Sequence, residues 1–101
     1  MQKIMNADEN LINAMRERFA EYPSIKKAVL FGSRARGDNT ERSDYDVAVY
    51  GDLDESECAL LRCDFDEELP TLHKIDLVFM CRRQPSKFVE NIEKEGIVFY
   101  G

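Results

Sequence analysis

Several things are missing from this chain, and each absence removes a class of function. No apolar run approaches the roughly 20 residues of a membrane-spanning helix; the longest, Ala28 to Phe31 and Val47 to Tyr50, are a fraction of that. The opening residues Met1-Gln2-Lys3-Ile4-Met5-Asn6 lack the apolar core of a secretory leader, so a cytoplasmic location is expected. The three cysteines, Cys58, Cys63 and Cys81, form no Cys-x-x-Cys pair, and the lone histidine, His73, stands at no metal-ligand spacing from them. Neither a disulfide framework nor a zinc site follows, and reduced, mostly buried thiols are expected instead. Gly32 and Gly37 have Walker A spacing, but Asp38 stands where the lysine is needed, which excludes a P-loop.

Positive charge is also in short supply. Fourteen basic residues against twenty acidic ones leave a net charge of -6, which argues against a nonspecific grip on nucleic acid, since that affinity rests on phosphate neutralisation. The imbalance is local. Between Asp52 and Glu68 eight acids face one base, Arg62, for a net of -7, so the rest of the chain carries +1. The acidic segment is compatible with docking on a basic partner or with a plain solvated face.

What is present reads as one compact α/β domain over residues 1–101, with no internal repeat or low-complexity linker. Asn6 with Glu9 makes a capping-box pair ahead of Leu11, Ile12, Met15 and Phe19, which fall on one helical face before Pro23. Ile25 to Phe31 reads as a strand buried on both faces, ended by Gly32-Ser33. Arg34 to Gly37 fits a short helix or turn, Asp38 to Ser43 a polar loop, and Asp44 to Tyr50 a second strand. Asp54 and Glu57 form another capping-box pair ahead of Cys58, Leu61, Phe65 and Leu69, a helix that Pro70 ends. Lys74 to Met80 predicts a third strand. Pro85 fits the first turn of a last helix bearing Phe88, Val89 and Ile92, Gly96 ends it, and Ile97 to Tyr100 closes as a fourth strand. The expectation is a mixed sheet of about four strands flanked by helices.

Two features carry chemistry. Alternation in a strand puts Asp44 and Asp46 on one face, about 6.6 to 6.8 Å apart at the backbone. Two such acids repel and raise each other's pKa unless a cation lies between them, and hard carboxylate oxygens suit Mg²⁺ or Mn²⁺, with a pair of ions as the usual clamp for displacement at phosphorus. Asp76 repeats the theme amid Ile75, Leu77, Val78 and Phe79, and joins the cluster if its strand neighbours that of Asp44 and Asp46. Gly32 permits close backbone approach, Ser33 opens the following turn with a hydroxyl and unpaired N–H groups, and Arg34 and Arg36 add positive charge suited to phosphate. His73 reads as a solvent-facing turn residue rather than a base, and Tyr45 and Tyr50 as packing residues rather than acceptors.

Gly32-Ser33, ten intervening residues, Asp44-x-Asp46 and a later strand aspartate together resemble the DNA polymerase β-like nucleotidyltransferase superfamily. Phe31-Gly32-Ser33-Arg34-Ala35-Arg36-Gly37 with Ser43-Asp44-Tyr45-Asp46 looks like its short MNT, or MntA-like, members, and the likeness covers nearly the whole chain. The resemblance implies that Asp44 and Asp46 bind the metals that carry a nucleoside triphosphate, ATP as donor, while Asp76 binds the catalytic Mg²⁺ and helps deprotonate the acceptor hydroxyl. It implies that Ser33 and the backbone after Gly32 hold the departing phosphates. It further implies a small helical HEPN-type partner in a toxin–antitoxin module, with AMP transferred to a tyrosine of that partner. Two other readings stay open: a non-catalytic antitoxin or binding subunit that blocks its partner by contact, and the catalytic half of an enzyme that modifies a small molecule such as an antibiotic.

Overall fold

The computed structural model describes residues 8–37, 44–67 and 74–101. Asn6, the loop from Asp38 to Ser43 (Arg42 included), Leu69, Pro70 and His73 lie outside the described residues. Within them the chain runs α1 (Glu9–Ala20), β1 (Ile25–Phe31), α2 (Ser33–Arg36), β2 (Tyr45–Gly51), α3 (Glu55–Glu67), β3 (Ile75–Phe79), α4 (Ser86–Glu95) and β4 (Ile97–Tyr100). The predicted order of elements and the mixed α/β (α+β) class are those observed.

The four strands form one sheet in the order β3-β2-β1-β4. β1 is antiparallel to both β2 and β4, while β2 and β3 are parallel and joined through α3. The register pairs Phe31 with Asp46 across β1 and β2, and Asp46 with Asp76 across β2 and β3. Because side chains alternate along a strand, Asp46, Asp76, Phe31, Ala48 and Tyr50 share one face, and Leu30, Tyr45, Val47 and Leu77 share the other.

The second face carries the main core. α1 lays Leu11, Ile12, Met15 and Phe19 on it, the four residues predicted from their spacing, and α3 adds Cys58, Leu61 and Phe65. Phe19 is fully buried, with ring centroids 5.2 Å from Phe65, 6.0 Å from Phe99 and 5.5 Å from Tyr100. α4 covers part of the opposite face, packing Ile92 on Val29 and Ala48 and setting Phe88 edge-on to Phe31 at 5.7 Å. The remainder of that face is where Asp46 and Asp76 stand.

Local chemistry explains the ends of the elements and corrects some expectations. Asp8 caps α1, its carboxylate accepting the Asn10 N–H at 2.9 Å, so the cap lies two residues beyond the one expected at Asn6. The Asp54–Glu57 capping box forms as expected: the Glu57 N–H donates to Asp54 Oδ1 at 2.8 Å and the Asp54 N–H to Glu57 Oε1 at 3.3 Å. Pro85 occupies the cap of α4 rather than its first turn. Asp44 precedes β2 instead of opening it. The thiols also differ from expectation. Cys58 is buried, but Cys63 lies on the outer side of α3 and Cys81 in the turn after β3, and both are exposed.

Candidate active site

Three chain segments meet at one end of the sheet: the C-terminal end of β1 and the N-terminal ends of β2 and β3. β1 leaves the sheet through Gly32, whose φ of 77° and ψ of -155° few residues other than glycine adopt. The turn into α2 follows at once, closed by Gly37 in the left-handed conformation with its N–H donating to Ser33 O at 2.9 Å. A Cβ on Gly32 would collide with Asp46 Oδ2. Glycine at this position is therefore what lets the Asp46 carboxylate lie against the backbone of the turn.

Asp46 is half-buried, and its carboxyl is pushed above the usual carboxylate range. Burial is the largest cause, followed by the like charges of Asp76 and Asp44, with Arg36 acting in the opposite sense. Asp76 sits beside it in register, about 43% exposed, with Lys74 Nζ 3.4 Å from its Oδ1. Asp44 is exposed at the approach to β2. Thus the structure brings Asp44 and Asp76 within electrostatic reach of Asp46, which lies against the Gly32 turn. Among the described residues no three His, Cys, Asp or Glu side chains are gathered tightly enough to form a ready-made metal cage. The donor set nevertheless suits a hard divalent cation: acid oxygens alone, the central one held up in pKa by burial and then by its acidic neighbours, beside a backbone that only glycine keeps open.

The two arginines after Ser33 go to different places. Arg36 is half-exposed and pairs with Glu95 at the end of α4 at 3.3 Å, close enough to Asp46 to favour its ionised form. Arg34 is 6% exposed, with its guanidinium 4.1 Å above the Tyr45 ring. Tyr45 itself is buried, and its hydroxyl accepts the Asp8 N–H at 3.1 Å. Since Tyr45 points to the α1–α3 side of the sheet, Arg34 lies away from the carboxylate face, where a phosphate contact was expected of it. The turn is thereby clamped to the residue between Asp44 and Asp46. Sequence spacing could not have separated the two arginines, because both follow the turn at short range; the signal was Tyr45, a bulky ring at an inward strand position. Tyr50 packs in the smaller cluster under α4, with Lys27 Nζ 4.4 Å from its ring centroid.

Comparison with known proteins agrees with this fold. The family model described as "Polymerase beta, Nucleotidyltransferase" matches residues 13–101. A Methanocaldococcus jannaschii protein named as a protein adenylyltransferase is 46% identical over 48 residues, a match spanning 48% of this chain and 46% of that protein. Among solved structures, a toxin–antitoxin with AMP-PNP superposes with a TM-score of 0.70 at 24% identity, covering 94% of this chain and 74% of that one. A complex of tri-AMPylated Shewanella oneidensis HEPN toxin with MNT antitoxin gives 0.53 at 18% identity, covering 89% and 72%.

Proposed function

The chain belongs to the polymerase β nucleotidyltransferase family, and from that premise we propose that it moves AMP from ATP to a hydroxyl of a small helical HEPN-type partner, acting as the antitoxin of the pair. The observation that carries the reading is the contact of the Asp46 carboxylate with the Gly32 backbone, in register with Asp76. A triphosphate that follows the turn would have its reacting phosphorus beside the carboxylates. The named activity of the archaeal relative and the toxin–antitoxin complexes among the structural neighbours support the nucleotide and the partner.

In this reading Asp44, Asp46 and Asp76 hold Mg²⁺, which when bound supplies charge neutralisation of the triphosphate and acidification of the acceptor hydroxyl. Ser33 and the first-turn N–H groups of α2 orient the departing β and γ phosphates. Asp76, the outermost of the carboxylates in the sheet, lies nearest to an incoming acceptor and takes up its proton as the oxygen attacks the α-phosphorus and pyrophosphate leaves. Arg36 offsets charge at Asp46, and Arg34 holds the turn against β2. Most of the rate enhancement in such a site is positioning and electrostatics, which a small scaffold can provide once the acceptor is delivered.

The test is incubation with Mg²⁺ and each labelled triphosphate, with and without the protein encoded by the neighbouring reading frame, followed by intact mass. The reading expects one or more AMP units on that partner and none with Asp46→Asn. Tight association of the two proteins with no added mass would replace it with a non-catalytic antitoxin.

A further inference from the structure

β3 is an edge strand. The Tyr45 N–H donates to Lys74 O at 3.0 Å and the Met80 N–H to Val49 O at 2.8 Å, so by the two-residue period the even-numbered residues of β3 bond to β2. Ile75, Leu77 and Phe79 therefore turn their backbone groups outward, away from the sheet. Beside this edge runs an open groove of about 500 Å³ between β3, α3 and the turn after β3, lined by Cys58, Arg62, Leu77, Phe79, Arg82 and Gln84 among others.

Among the described residues the edge is covered only by side chains. Arg62 Nη2 donates to Leu77 O at 3.5 Å and Gln84 Nε2 to Phe79 O at 3.5 Å, both at the far limit of a hydrogen bond and easily exchanged for backbone partners. Arg62 also lies over the Phe79 ring at 5.5 Å. Neither Arg62 nor Arg82 pairs with a carboxylate among the described residues, although Arg62 is the one base in the most acidic segment of the chain. Among the described residues Glu55, on the rim, is the sole acid lining the groove.

We propose that the β3 edge is the docking site for an extended acidic segment of the partner protein, which adds as a fifth strand and carries the acceptor hydroxyl. Outward backbone groups select an extended chain, and two guanidinium groups with no carboxylate partner among the described residues, Arg82 beside the Cys58 thiol, select carboxylates on it. An added strand lies about 4.8 Å from β3, and a side chain set opposite Asp76 stands on the carboxylate face with its Cβ about 5 Å from that of Asp76. Strand addition thus delivers the acceptor to the carboxylate face, and it rests on the nucleotide-transfer reading only for the fate of the hydroxyl, not for the docking itself.

The probe is a synthetic peptide alternating valine and glutamate with one central tyrosine, titrated into the full chain and followed by amide exchange. Exchange at Leu77 and Phe79 should slow at least about tenfold while the amides already bonded to β2 change little. Arg62→Glu with Arg82→Glu should weaken binding at least about tenfold, and Arg62→Lys with Arg82→Lys should restore part of it. Both side chains are exposed, so an unchanged melting temperature certifies the fold. Protection that falls elsewhere, equal binding of a lysine-for-glutamate peptide, or indifference to the charge reversals would overturn the proposal. Peptide seated on β3 without gain of nucleotide mass in Mg²⁺ and ATP would leave the docking site standing and remove the transfer reading instead.

Discussion

At the scale of single residues the carboxylates at the sheet end are a cost to the fold. The raised pKa of Asp46 means that its ionised form is disfavoured in the folded state, so this residue's contribution is full in acid and is lost as pH rises from the usual carboxylate value of 3.8 through the higher folded value. At neutral pH, in the absence of divalent ions, Asp46→Asn should therefore melt a few degrees higher than the native chain. Mg²⁺ should raise the melting temperature of the native chain and leave that of Asp44→Asn with Asp46→Asn unmoved, because saturation at a hundred times Kd adds about 2.7 kcal/mol only where a site exists. An equal rise in both proteins would remove the metal site. Tyr22 offers a second titration. Its hydroxyl donates to Asp64 Oδ2 at 2.8 Å, and burial with that bond pushes its pKa up to about 12. The protonated phenol is favoured by folding, so its contribution is intact below pH 10 and declines as pH climbs towards 12. Phenolate absorbance in an alkaline titration should lose its latest component in Tyr22→Phe.

At the scale of elements the turn from β1 into α2 sets where the Asp46 carboxylate lies. Gly32→Ala forces a side chain into a left-handed conformation at a cost of about 1–3 kcal/mol and drives the Asp46 carboxylate off the turn. Displacement by about 1 Å is enough to reduce transfer by about a hundredfold. Single-turnover transfer measured alongside thermal melting would separate the two effects, and a variant transferring at the native rate would deny the turn its role. The same element shows where sequence reading stopped. Gly32, Asp44 and Asp46 could be singled out because they flank the end of one predicted strand and the start of the next, whereas Asp76 lies about thirty residues further on and no local pattern ties it to them. Arg34 was not legible, because whether an arginine beside a turn reaches outward to phosphate or inward over a ring depends on which face of β2 the turn overlies.

At the scale of the whole molecule, the main core and the candidate carboxylate site occupy opposite faces of one sheet. α1 and α3 seal one face around Phe19, while α4 covers the other only in part and leaves the carboxylates accessible. Phe19→Ala should cost about 3–5 kcal/mol, a large share of the roughly 5–15 kcal/mol of a domain this size, and appear as a large drop in the denaturant midpoint. Asp46→Asn, on the other face, should not share that drop. No helix among the described residues is long and apolar enough to cross a membrane, in keeping with the short apolar runs of the chain.

Sequence alone determined the elements, their order and the residues that face the main core, because periodicity, capping residues and glycine or proline punctuation act within a few positions of one another. It also determined that Asp44 and Asp46 are close, since they are two residues apart on one short segment. Only the tertiary structure decided that β3 lies parallel to β2 and puts Asp76 in register with Asp46, that Gly32 yields its missing Cβ to the Asp46 carboxylate, and that β3 is an outer strand of the sheet. Strand order arises from how the faces of distant segments are buried together, and no local pattern records it.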